Sequence, residues 1–187
     1  MAQERFSQPL DVIRNWAQLT LQNMRLKRRL DTPPGCRCRL CLLLQSLGDR
    51  ALRSQGVPQG SLGDFHPAPP GLRAAAQRAA DWVRTQGASL TSLALRFAFS
   101  ESLAKDTPPF ISIIFGAGTV EEVEENTTAA ASVREPLSLL YQDFRKPAKI
   151  NRARVERDRP LVEEVRRILG YWVDYSFTSP EEGWKLT

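Results

Sequence analysis

The run from Phe110 to Phe115 constrains this chain most. It is apolar and rich in β-branched residues. It stops at Gly116 and Gly118, and Thr119 opens a helical pattern at once. Strand, glycine turn and helix in immediate succession are the unit from which parallel α/β sheets are built. Thr119 and Glu122 stand at the spacing of a capping box, T-x-x-E. The unpaired amides and the dipole at such a helix start attract phosphate. Two features argue for a plain tight turn instead. The third glycine of a G-x-G-x-x-G fingerprint is absent, because position 121 is Glu. In addition, Glu121, Glu122, Glu124 and Glu125 satisfy the dipole themselves and repel an anion unless they point away.

Two helices are expected before this unit. Leu72, Ala75, Ala76, Ala79, Trp82 and Val83 recur at helical spacing, and Gly87 is placed to end that helix. Ser89 is placed to cap the next one, with Leu90, Leu93, Ala94, Phe97 and Leu103 as its buried stripe. Beyond the unit, Pro160 suits the first turn of a further helix. Its stripe would be Leu161, Val162, Val165, Ile168, Leu169 and Trp172. One strand cannot make a sheet, so either Leu10–Trp16 and Arg39–Leu44 or another chain must supply its partners.

A chain of 187 residues can bury an ordinary core. It falls short of a whole (β/α)8 barrel, which takes about 250 residues and seldom fewer than about 200. No membrane span or signal peptide is expected from the sequence. Three clustered cysteines, Cys36, Cys38 and Cys41, suggest a reducing, cytoplasmic setting. They do not make a zinc site, which needs four ligands; the one histidine, His66, is far off in sequence. Asp64 and His66 suit a capped loop at least as well as acid–base work. The net charge of +5 is mild and concentrated in Arg25–Arg39. A nucleic-acid motif would accompany a binding patch, and none does, so a solvated basic stretch is favoured.

From Gly56 onward the chain resembles the C-terminal portion of the aldo-keto reductases. The aldose 1-dehydrogenase branch, with its D-arabinose and L-galactose dehydrogenases, is the part it resembles. The residues that carry the resemblance are Gly56-Val57-Pro58 with Leu62 to Pro69, Ser89-Leu90 with Leu93 to Ala98, the strand–turn–helix ending at Glu125-Asn126, and Ile168 to Phe177 with Ser179 to Trp184. Residues 9–26 resemble the sixth barrel strand and its loop. Together these pieces span roughly three quarters of the chain.

The resemblance implies one partial domain over residues 1–187. It would be an incomplete (β/α)8 TIM barrel, about its last three βα units, plus a C-terminal helix and tail. It also implies that Gly116, Ala117, Gly118 and Thr119 wrap the adenosine phosphate of NAD or NADP, with Glu122, Glu125 and Asn126 on the adenine side. Ala117 and Gly118 replace the hydroxyl or basic residues common there, and no base matches the usual 2′-phosphate partner. NAD is therefore at least as well supported as NADP. The family's catalytic Asp, Tyr, Lys and His lie on earlier strands, and His66 does not match the last. No catalytic residue is assigned, and the chain is expected not to turn over a sugar or small carbonyl alone.

Residues 27–53 read as irregular and fit neither the family nor a tidy element. Shifting Gly35–Ala51 by one nucleotide permits codons for a family-like seventh strand and a Ser-Pro-Leu loop. A frame-shifted gene segment would account for the Cys/Arg cluster. Two alternatives stand beside the reductase reading: a non-catalytic module that buries an open sheet edge on a partner, and a basic nucleic-acid binder through Arg25–Arg39.

Overall fold

A computed structural model describes residues 12–16, 19–25, 39–44, 69–103, 111–115, 117, 119–135 and 149–175. The elements are β1 (Val12–Trp16), β2 (Arg39–Leu44), α1 (Pro70–Thr85), α2 (Leu90–Leu103), β3 (Ile111–Phe115), α3 (Val120–Ser132), α4 (Arg152–Leu169) and a 3-10 turn, Gly170–Trp172. The described protein is α/β and mostly helical. Residues 39–44, inside the stretch read as irregular, form β2. His66, Asp64, Cys36 and Cys38 lie outside the described residues, as do Gly56–Ala68 and residues 176–187.

The three strands make one parallel sheet in the order β1-β2-β3. Val12 stands opposite Arg39, and Leu40 opposite Ile111. Parallel neighbours cannot be joined by a hairpin, so each connection must cross over. α1 and α2 lie within the crossover from β2 to β3. Strand alternation sends neighbouring side chains to opposite faces. Ile113 packs toward Leu95, Ala98 and Ala129 of the helical layer, while Ile114 is 42% exposed.

α1 buries Leu72, Ala75, Ala76, Ala79 and Val83 of the expected stripe, with Ala80 added, while Trp82 is half-buried against the core. Its small residues let the next layer approach closely: a Cβ built on Gly71 would lie 2.5 Å from Trp172 Cζ2. The helix ends as Gly87 suggests. Gly87 adopts φ +71°, its amide donates to Arg84 O at 3.0 Å, and the Ala88 amide donates to Val83 O at 3.2 Å. This pair of bonds is a Schellman motif, which requires a left-handed residue at that position. Two residues later Ser89 Oγ accepts the Ser92 amide at 3.3 Å and starts α2.

α2 departs from its expected single stripe. Leu93 is fully buried in the main core, with Leu90, Ala94 and Phe97 packed on it. Leu95 and Ala98 are equally buried on another side, in a second cluster with Ala129. The helix is wedged between two layers, so one apolar face is not enough.

The expectation for Pro160 is corrected. α4 begins at Arg152, capped by Asn151 Oδ1, which accepts the Arg154 amide at 3.2 Å; Pro160 sits inside the helix. Proline has no N–H to close the bond to residue 156, and the helix continues through that gap. Tertiary packing outweighs the local signal here. Val165 and Leu169 are in the core, with Leu161, Val162, Ile168 and Trp172 packed against it. Near Pro160, Asp158 is 6% exposed and meets Arg96, 7% exposed, with Nε to Oδ2 at 2.6 Å. Arg154 reaches the same carboxylate at 3.2 Å.

The segment 19–25 has little regular structure, and Leu19 to Asn23 are buried. Its backbone and side chains are satisfied by the far end of the chain, as buried polar groups require. Gln22 Nε2 donates to Trp172 O at 2.6 Å, the Met24 amide to Asp174 Oδ1 at 2.9 Å, and Arg166 Nη1 to Leu21 O at 2.8 Å.

Candidate functional site

The junction of β3 and α3 is the place the sequence marks out. Thr119 holds extended backbone, φ −137° and ψ 163°, and its hydroxyl oxygen accepts the Glu122 amide at 3.3 Å. The Val123 amide donates to Thr119 O at 3.2 Å. The Glu121 carboxylate folds back on its own amide and on the Thr119 hydroxyl. Those two hydrogen bonds, the amide first, hold its pKa below the ordinary carboxylate range. The first-turn amides of Glu121 and Glu122 are thus engaged from within the chain.

The remaining residues of the set fall on different sides of the helix. Ala117 and Thr119 are exposed, and Glu122 is half-buried. Glu125 faces the start of α2, where its Oε1 accepts Ser92 Oγ at 2.5 Å and Ser89 Oγ at 3.1 Å. Asn126 is 2% exposed, on the inner face with Ala129 and Val133. Gly116 and Gly118 lie outside the described residues. The structure brings Thr119, Glu121 and Glu122 together at the helix start. Glu125 is drawn off to the Ser89–Ser92 pair and Asn126 into the core.

Ser92 was not legible as part of this arrangement. Ser89 reads from sequence as a cap, and nothing local says that both hydroxyls turn to a carboxylate 33 to 36 residues on.

The chemistry offered is that of acceptors. Glu121, Glu124 and Glu125 are exposed carboxylates around one helix start. Such a set suits hydroxyl and amine donors and opposes a further anion. Among the described residues no group of three or more His, Cys, Asp or Glu is placed to hold a metal. Among them, too, no helix is long and apolar enough to cross a membrane.

Comparison with known proteins gives no matching family model and no matching curated protein.

Proposed function

We propose that the chain is the C-terminal portion of a (β/α)8-barrel oxidoreductase of the aldo-keto reductase type, of the sugar 1-dehydrogenase kind. In this reading it supplies the adenosine edge of a nicotinamide dinucleotide site and no catalytic residue. The observation that carries it is the strand order. Three parallel strands stand side by side in chain order, with helices in the β2–β3 crossover and after β3. A barrel wall adds its strands in that manner, as does each half of a doubly wound sheet, and the sequence resemblance favours the barrel. The sequence resemblance supports the same reading and names the β3–α3 junction as the nucleotide edge.

The acceptor set at that junction fits part of the nucleotide. The carboxylates in the first turns of α3 are acceptors for ribose hydroxyls. They repel the 2′-phosphate of NADP, and the sequence carries no Lys or Arg from Phe110 to Val133 to offset them. The fit is therefore to NAD, through its adenosine ribose. The nicotinamide, when bound in an intact relative, accepts the hydride. This chain's part is confined to the adenosine end.

The test is a titration of the protein with NADH and with NADPH, followed by nicotinamide fluorescence, beside an assay with NAD and an aldose. The reading expects a weak saturable signal with NADH, a weaker one with NADPH, and no turnover. Aldose-dependent turnover, a preference for NADPH, or no saturable signal with either nucleotide would overturn it.

A further inference from the structure

We draw no further inference here: the strongest candidate, the side-chain cluster in which the Ser89 and Ser92 hydroxyls at the start of α2 meet the Glu125 carboxylate of α3, belongs to the acidic helix start already described, and nothing among the described residues beyond those hydrogen bonds points to a ligand there.

Discussion

Arg96 of α2 and Asp158 of α4, 62 positions apart in the chain, meet as a two-pronged ion pair inside the helical layer. Nε donates to Oδ2 at 2.6 Å and Nη2 to Oδ1 at 3.0 Å. Both side chains are 8% exposed. Taking either charge out of water is costly unless its partner is in place. The bidentate geometry supplies that partner and fixes how α2 lies on α4.

Removing one member should therefore hurt more than removing both. Asp158→Ala leaves a buried guanidinium without its carboxylate and should cost about 3–5 kcal/mol. Arg96→Met with Asp158→Leu should recover most of that loss. Urea midpoints of the two variants decide it; equal losses would mean the pair is not acting through burial.

Gly71→Ala and Gly87→Ala are the same substitution with different physics. At Gly71 the new methyl meets the Trp172 ring at 2.5 Å, so the cost is overpacking, about 1–3 kcal/mol. Trp172→Ala should remove that penalty in a double-mutant cycle. At Gly87 nothing lies within 4 Å of the added atom, and the cost is backbone strain at φ +71°. About 1 kcal/mol is expected there, with no coupling to Trp172 and partial recovery in Gly87→Asn.

Pro160 is exposed within α4 and leaves one helix bond unmade. Pro160→Ala should stabilise the protein by about 1–3 kcal/mol. A thermal melt reads this directly. A loss of stability would mean that the proline sets the helix path that seats Asp158.

Acid should weaken two surface pairs. The Asp81 carboxylate is held below its ordinary pKa by hydrogen bonds from Arg84 and then Gln77, and Glu164 by Arg167. A depressed carboxylate pKa gives stability that is present above the unfolded value and lost as pH falls through the folded one. Asp81→Asn and Glu164→Gln should match the parent most closely below about pH 3 and differ from it, slightly, near neutrality. Asp81 is exposed and Glu164 half-buried at the surface, so salt should shrink the difference, more for Asp81. A gap that widened on acidification would contradict the sign. Arg167, raised by the same Glu164 contact, gives up its share only in strong alkali.

The sequence by itself determined what depends on near neighbours. The stripe of α1, the Gly87 stop, the Ser89 start and the Thr119 cap were all legible, because each rests on spacing within a turn or two of chain. That a lone strand needs partners was legible too, and Leu10–Trp16 and Arg39–Leu44 were the candidates; that 39–44 stands in the middle, between 12–16 and β3, was not. The tertiary structure decided the rest. Leu95 and Ala98 face inward because α2 has layers on two sides. Asp158 is buried because Arg96 arrives from another helix, and α4 runs through Pro160 because its flanking turns are packed and capped. At the candidate site, Thr119 and Glu122 stayed where their spacing put them. Glu125 and Asn126 parted because Ser89, Ser92 and the core claimed opposite sides of one helix. Spacing describes a single element, whereas burial and charge pairing depend on what the rest of the chain brings against it.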